Sequence, residues 1–208
     1  MPAGAGGESM KKIILLIVFF AALALPVAAA SEPAKAKTAP VAPALLVIDV
    51  QNAYLPYMDE KDKKTAMDGI NYYIQLFRAN GFPVIRVYHT DPDRGWPKPG
   101  SEEFQFPKTV AVQEDDPMVV KNYGNAFKKT DLDKLLKEKG RNTLFLCGLS
   151  AVGCVLATYH GAMDRDYEVF LCREALISHD AALTKAVQEF CRTIDYAALK
   201  LLLSGVSR

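Results

Sequence analysis

Three residues that lie far apart in the chain have the types needed for hydrolysis through a thiol. Cys154 offers a nucleophile, Asp49 a carboxylate that can take up and return a proton, and Lys121 an ammonium group. The thiolate is the attacking species, and we expect a helix N-terminus at Cys154 and the charge of Lys121 to lower the pKa of the thiol. The set predicts acyl transfer through a thioester that water resolves.

The sequence around these residues predicts alternating strands and helices. Fully apolar runs such as ALLVIDV (44–50) are typical of strands buried on both faces, and apolar residues at helical spacing mark the helices. The predicted strands span residues 44–50, 83–89, 117–121, 143–148 and 167–172. The predicted helices span residues 61–79, 131–140, 152–164, 181–190 and 194–203.

Such alternation predicts an α/β fold with three α/β/α layers and a mostly parallel, Rossmann-like open sheet. Ligands of these folds bind beyond the carboxyl ends of the strands. Asp49 and Lys121 end predicted strands, and Cys154 lies just after another, so we expect all three at one edge of the sheet. Backbone N–H groups of the turn GLSAVGC (148–154) are candidates for an oxyanion hole, which contributes roughly 3 kcal/mol per donor.

Three segments carry a resemblance to a known family. LLVIDVQNAYL, VVKNYGNAF and LFLCGLSAVGCVLATYHGAMDRDYEV resemble the isochorismatase-like cysteine hydrolases, which include nicotinamidases and N-carbamoyl amidohydrolases. The likeness covers about residues 44–180 in the family's order. It implies a three-layer α/β fold and the catalytic set Asp49, Lys121 and Cys154.

The resemblance also implies how the turn before the nucleophile is built. Members of the family have a non-proline cis peptide there, which corresponds to Leu149–Ser150. It aims the Ser150 N–H beside that of Cys154, and the two form the oxyanion hole. Isochorismatases proper lack a cysteine at this position, so Cys154 favours the amide-cleaving members.

Departures from the family pattern predict that this chain binds no metal ion. Nicotinamidases of the family bind a metal through an Asp-x-His pair and a later histidine. This chain keeps His89, but Val87 occupies the aspartate position and Gly95 lies near the second histidine position. One imidazole is not a metal site. We therefore expect no cofactor, and nicotinamide becomes a weaker candidate substrate.

Several aromatic residues and His89 are candidates for substrate contacts. They fall in loops or near strand ends, where aromatic walls bind planar or apolar substrates. The long Pro- and Gly-containing segment 90–109 is a further candidate because connectors of this length usually have a function. The predicted substrate-binding residues are Tyr54, His89, Trp96, Tyr123 and Phe127.

The N-terminus is typical of an export signal. Lys11 and Lys12 precede the apolar run 13–25, and small residues end at Ala30, which predicts a signal peptide over residues 1–30. An uncleaved anchor helix is the alternative, because residues 13–30 reach the minimum spanning length. Residues 31–43 are rich in Pro, Ala and Lys and predict a flexible linker, followed by the hydrolase domain over residues 44–208. We expect an exported, periplasmic or secreted protein without a stable membrane anchor.

Composition restricts the other functions. The chain of 208 residues has 25 basic and 24 acidic side chains, so nucleic-acid binding has no electrostatic support. The partner we expect is a small-molecule substrate, and the resemblance allows a homo-oligomer. Four cysteines in an oxidising compartment leave a redox or thiol-sensing protein as one alternative. A catalytically silent ligand-binding relative is the other.

Overall fold

Buried apolar runs build the sheet at the centre of the molecule. The structure is a computed structural model that describes residues 40–206. All six residues of the first strand are buried, as the run predicted. The strands are β1 (Pro43–Ile48), β2 (Val84–His89), β3 (Met118–Lys121), β4 (Thr143–Gly148), β5 (Glu168–Leu176) and β6 (Thr193–Ile194). Their order is β3-β2-β1-β4-β5-β6, and every pairing is parallel.

Helices cover both faces of this sheet. The helices are α1 (Glu60–Ala79), α2 (Leu132–Glu138), α3 (Leu156–Met163), α4 (Ala181–Phe190) and α5 (Tyr196–Ser204). Apolar residues of α1 and α5 pack with one set of alternating strand residues, and those of α2, α3 and α4 pack with the other set. The three-layer α/β/α fold with a parallel open sheet is thereby confirmed.

Helix α1 shows how the sequence sets an element's ends. The Asp59 carboxylate caps the first turn by accepting hydrogen bonds from the backbone N–H groups of Lys61 and Asp62. Its apolar residues, at helical spacing, face the sheet. Asn80 ends the helix, and Gly81 follows with a φ of 74°, a conformation that favours glycine.

The order of strands places a crevice at the middle of the sheet. The chain leaves β1 toward β2 on one side, whereas β4 lies on the other side of β1. Ligands of open α/β folds bind where the connections diverge in this way, at the carboxyl ends of the strands. Asp49 follows β1 and the turn containing Cys154 follows β4, so the two residues flank the crevice.

Some boundaries differ from those expected. Strand β6 was not predicted because two residues are too few to show a period. The predicted helix 152–164 is divided into a distorted π-helical turn, Ala151–Val155, and α3. The predicted signal peptide and residues 31–39 of the linker lie outside the described residues. Within residues 40–206, no helix combines the length and apolarity that a membrane span requires.

Candidate active site

Asp49 is turned into the crevice by the backbone at the end of β1. Its φ is 54°, an uncommon value for a residue with a side chain but one that aspartate tolerates better than most. Backbone hydrogen bonds hold this turn, because Asp49 N donates to Val87 O at 2.8 Å and Gln51 N donates to Asp49 O at 2.7 Å. The carboxylate is therefore fixed, and Asp49 is only 2% exposed.

Gly148 brings the end of β4 against β1. A Cβ at this position would lie 2.1 Å from the carbonyl oxygen of Ile48, so only glycine fits. The peptide bond Leu149–Ser150 that follows is cis, as the resemblance implied. The Ser150 carbonyl then accepts hydrogen bonds from Gly153 N and Val155 N, which closes the turn around Cys154. The oxyanion-hole roles of the Ser150 and Cys154 N–H groups stay predictions.

Lys121 forms a buried ion pair with Asp49. Lys121 Nζ lies 2.7 Å from Asp49 Oδ2, and the two side chains are 0% and 3% exposed. Lys121 reaches the site from two strands away because β3 and β2 are paired so that Lys121 lies opposite His89. A buried charge requires such a partner, since removing one member costs about 3–5 kcal/mol.

Cys154 lies beside this pair, in the distorted turn before α3. A ring nitrogen of His89, a carboxylate oxygen of Asp49 and Cys154 Sγ lie within 4.8 Å of one another. The predicted grouping of Asp49, Lys121 and Cys154 at one edge of the sheet is therefore what the structure has. Their catalytic roles stay predictions.

The expectation of a lowered thiol pKa is wrong. Burial, followed by the charge of Asp49, raises the pKa of the Cys154 thiol to about 12, against the lowering effect of Lys121. The ammonium is already paired with Asp49, so its field at the sulfur is largely compensated. The helix N-terminus also contributes less than expected, because α3 begins at Leu156, beyond Cys154. The resting thiol is protonated.

Two polar atoms at this site have no hydrogen-bond partner among residues 40–206. They are Asp49 Oδ1 and Ser150 Oγ, both buried. Buried polar atoms without partners are rare in folded proteins, and a functional site is a common reason for them. Asp49 Oδ1 is thus an acceptor with free lone pairs, on a carboxylate that lies within 4.8 Å of Cys154 Sγ.

Gln51 is a positioning residue that sequence reasoning missed. Its side chain is completely buried and makes two hydrogen bonds with the backbone of His89. Gln51 Oε1 accepts from His89 N at 2.7 Å, and Gln51 Nε2 donates to His89 O at 3.0 Å. The available signal was its place directly after LLVIDV, where a buried amide ties the ends of β1 and β2 together.

A cavity of about 130 Å³ opens beside the thiol. It is smaller than the 300–1,000 Å³ typical of sites for drug-sized ligands, so it suits a small acyl group. The lining residues are Asp49, Tyr54, Met58, His89, Leu149, Ser150 and Cys154. Tyr54 and His89, both predicted to contact substrate, are therefore where they were expected.

The other predicted contact residues lie elsewhere. Trp96 does not line the cavity and packs edge-on against Tyr54 at 5.4 Å. Tyr123 lies under the Lys128 ammonium, 4.1 Å from the ring centroid. Phe127 is buried and stacks on Tyr167 at 5.7 Å. Neither Tyr123 nor Phe127 lines the cavity, and the Phe127 ring belongs to the hydrophobic core instead.

The segment 90–109 is partly core and partly site. Phe104 and Phe106 stack on Tyr88 at 4.9 Å and 4.4 Å, which anchors the loop on β2. The loop also accepts two backbone hydrogen bonds, from Asn52 N and Ala53 N, and thereby holds the chain next to Tyr54. The long segment therefore contributes to the site indirectly, because its contacts hold the backbone next to residues that line the cavity.

The donor atoms of the site do not fit a metal ion. Asp49, His89 and Cys154 are close enough to share one. The Lys121 ammonium, however, lies 2.7 Å from Asp49 Oδ2 and 3.2 Å from His89 Nδ1, so a cation already uses these two donors. Val87, at the position of the family's aspartate ligand, is a completely buried apolar residue.

Comparison with known proteins agrees with this geometry. The sequence profile of the isochorismatase domain matches residues 43–198. The chain belongs to the isochorismatase family. It is 31% identical over 149 residues to the uncharacterized isochorismatase family protein YddQ of Bacillus subtilis (strain 168), an alignment covering 70% of this chain and 79% of that protein.

Two further relatives bear on fold and chemistry. An isochorismatase family protein from Burkholderia thailandensis has the same fold, with a TM-score of 0.69 at 22% identity over 79% of this chain and 98% of the other. A shorter stretch of 77 residues is 34% identical to the maleamate amidohydrolase of Pseudomonas putida, covering 37% of this chain and 36% of that enzyme. The family thus includes hydrolases of amide bonds.

Proposed function

We propose that this protein is a metal-independent cysteine hydrolase that cleaves the C–N bond of a small amide or carbamoyl compound. One observation carries the proposal: Asp49 has one oxygen bound by Lys121 and a second, unpartnered oxygen, and its carboxylate lies within 4.8 Å of Cys154 Sγ. This is the arrangement of a base held in place by a cation and aimed at a nucleophile.

The first half of the reaction forms a thioester. Asp49 takes the thiol proton while Cys154 Sγ forms a bond to the substrate carbonyl carbon, and the carbonyl electron pair moves to oxygen. The backbone N–H groups of Ser150 and Cys154 stabilise this oxyanion. As the oxyanion collapses, the C–N bond breaks, and the nitrogen leaves with the proton that Asp49 carried.

Water completes the cycle. Asp49 takes a proton from a water molecule whose oxygen bonds to the thioester carbon. The resulting oxyanion collapses, the bond to Cys154 Sγ breaks, and the acid product leaves. The sulfur recovers its proton from Asp49, and the resting state is restored.

The Lys121 ammonium interacts with a different negative charge at each stage of the reaction. In the resting state the Lys121 ammonium is paired with Asp49, which holds the carboxylate in place as the base. Once Asp49 carries a proton, the same ammonium faces the negative charge that has moved to sulfur and oxygen. The cation therefore supports the transition state more than the resting thiol.

The proposal that the substrate is a small amide rests on sequence similarity and on the size of the cavity. The similarity to the maleamate amidohydrolase supports C–N cleavage. The cavity of about 130 Å³ supports a small acyl group. Export is part of the proposal as well, based on the residues up to Ala30, and cell fractionation with N-terminal sequencing of the mature chain tests it.

The test compares two cysteine variants on a panel of small amides, carbamoyl compounds and esters. Cys154→Ala is expected to abolish turnover, whereas Cys191→Ala, which removes a half-buried thiol outside the cavity lining, is expected to keep it. Circular dichroism of both variants controls for folding. Turnover by folded Cys154→Ala at the wild-type rate contradicts the proposal.

A further inference from the structure

His89 is held in one tautomer by its neighbour. Lys121 Nζ lies 3.2 Å from His89 Nδ1 and 2.7 Å from Asp49 Oδ2. A lysine ammonium has only hydrogens to offer, so Nδ1 must accept, and the proton of a neutral imidazole must be on Nε2. Burial and the Lys121 charge lower the pKa of His89 below its usual 6.5, which keeps the ring neutral.

The backbone of His89 is equally restrained. The two hydrogen bonds from the buried Gln51 side chain fix its N–H and C=O groups. The Tyr54 ring packs against the imidazole, with centroids 6.0 Å apart. His89 is therefore a hydrogen-bond donor at a fixed place in the lining of the cavity.

The rest of the lining restricts what that donor can meet. Tyr54, Met58 and Leu149 form apolar walls, and Asp49 is the charged residue of the lining. The nearby ammonium of Lys121 already contacts Asp49 and His89. An anionic acyl group would therefore be repelled by the Asp49 carboxylate, with no unpaired cation in the lining to offset that repulsion. A neutral group with a hydrogen-bond acceptor satisfies the imidazole N–H.

We propose that His89, held by Lys121 as the Nε2–H tautomer, is the specificity-determining donor of the cavity. The preferred substrate is then a small, uncharged amide whose acyl part carries a hydrogen-bond acceptor. This assignment rests on the proposed function, since it concerns the acyl group that Cys154 attacks. It differs from a metal-ligand role for this histidine, because Nδ1 is engaged by an ammonium.

Matched amides test the substrate class. In methoxyacetamide and butyramide an ether oxygen replaces a methylene, and tetrahydrofuran-2-carboxamide and cyclopentanecarboxamide differ in the same way. The wild-type protein is expected to favour the oxygen-containing member of at least one pair by up to about tenfold in kcat/KM, the effect of one hydrogen bond. Succinamate, which is anionic, is expected to be a poorer substrate than butyramide. Equal kcat/KM within both pairs overturns the assignment.

Two substitutions at position 89 separate donor from packing effects. His89→Gln keeps an amide that can accept from Lys121 and donate to substrate, whereas His89→Leu keeps bulk without either capacity. The preference within the pair is expected to survive in His89→Gln and to disappear in His89→Leu. His179→Gln, at an exposed histidine outside the cavity lining, is the control. An unchanged preference in His89→Leu contradicts the assignment.

Nitrogen NMR decides the tautomer without any turnover. In protein with ¹⁵N-labelled histidine at neutral pH, the His89 signals are expected to be those of a neutral ring protonated at Nε2. The His89→Gln variant assigns them against His160 and His179. A ring protonated at Nδ1, or at both nitrogens, refutes the His89 assignment. If no amide is turned over but the Nε2–H tautomer is found, the proposed hydrolase function fails and the tautomer stands.

Discussion

Two cysteines on either side of the end of β4 differ in expected reactivity, although burial raises the thiol pKa of both. Cys147, within the strand, is completely buried, and burial alone raises its pKa above the usual range. Cys154, in the turn that follows, also has a raised pKa, but Asp49 and Lys121 both act on it. The difference between them is the presence of a base, since neither resting thiol is a stable anion. Reactivity here depends on where a proton can go.

We infer that the Cys154 thiol is deprotonated only when substrate is bound. A thiol with a permanently low pKa is a resting thiolate, open to oxidation and alkylation. At Cys154 burial and the Asp49 charge outweigh the Lys121 charge, so the proton leaves only as the sulfur attacks a carbonyl. For an enzyme that we expect to be exported into an oxidising compartment, such a thiol is protected between turnovers.

Replacing the base, Asp49, is expected to give the largest change in catalytic rate. Asp49→Asn removes the proton acceptor, so kcat is expected to fall by about 10²–10⁴-fold. The same change removes a negative charge that raises the Cys154 pKa, so iodoacetamide is expected to alkylate Cys154 faster at a fixed pH near 8. Stopped-flow turnover and alkylation rates are measured on the same samples. Parallel loss of both rates contradicts the role of Asp49.

Removing the cation tests the ion pair that holds the base beside Cys154. Lys121→Met leaves Asp49 as an unpaired buried charge, and the free energy of unfolding is expected to fall by about 3–5 kcal/mol in urea denaturation. Asp49→Asn in the same chain removes that charge, so the double variant is expected to be more stable than Lys121→Met alone. A single variant as stable as the wild type rules out the ion pair as described.

The pH dependence of alkylation tests the raised pKa directly. Because the folded pKa of Cys154 is about 12, its rate of alkylation in the substrate-free protein is expected to rise about tenfold per pH unit from pH 7 to 10 without a plateau. By the sign of the same shift, this thiol stabilises the fold fully below the unfolded pKa of about 9, and that contribution is lost as pH rises toward 12. A plateau in the alkylation rate below pH 8 shows a resting thiolate instead.

The core thiol gives a smaller and purely structural effect. Cys147→Ala removes a buried sulfur that donates to Leu46 O at 3.5 Å, and we expect a loss of about 1–2 kcal/mol in stability with unchanged kcat. Thermal unfolding and steady-state kinetics measure both quantities. A fall in kcat comparable to that of Cys154→Ala excludes a merely structural role for Cys147.

Tyr123 gives the smallest effect. Its ring lies under Lys128 and outside the cavity lining, so Tyr123→Ala is expected to change kcat/KM by less than about twofold, as surface substitutions usually do. Tyr54→Ala is the comparison, since Tyr54 lines the cavity. A larger loss in Tyr123→Ala than in Tyr54→Ala shows that substrate reaches beyond the cavity.

Residues placed by the ends of strands could be predicted from the sequence. Contacts that depend on strand register or on the direction of a side chain could not. Asp49, Lys121 and Cys154 follow from strand boundaries because parallel strands bring their carboxyl ends to one edge. The bond between Gln51 and the His89 backbone, and the pairing of Lys121 with His89, depend on register, which periodicity does not give. Phe127 was expected at the cavity because it lies near Lys121 in sequence, but its ring turns into the core.

The thiol pKa shows a second limit. A helix start and a nearby lysine are visible in sequence, whereas the depth of burial and the distorted turn at Gly153 are visible only in the structure. Desolvation is the largest effect on this thiol and the Asp49 charge is the next, so an expectation built on the helix start and Lys121 alone has the wrong sign.

Tandem mass spectrometry of an acid-quenched reaction shows which sulfur carries the covalent intermediate. Trypsin releases both thiols in one peptide, residues 142–165, so fragment ions place an acyl group on either sulfur. With a turned-over amide, we expect an acyl mass on Cys154 and none on Cys147. An acyl group on another residue, or rapid turnover with none on Cys154 at any quench time, contradicts this expectation.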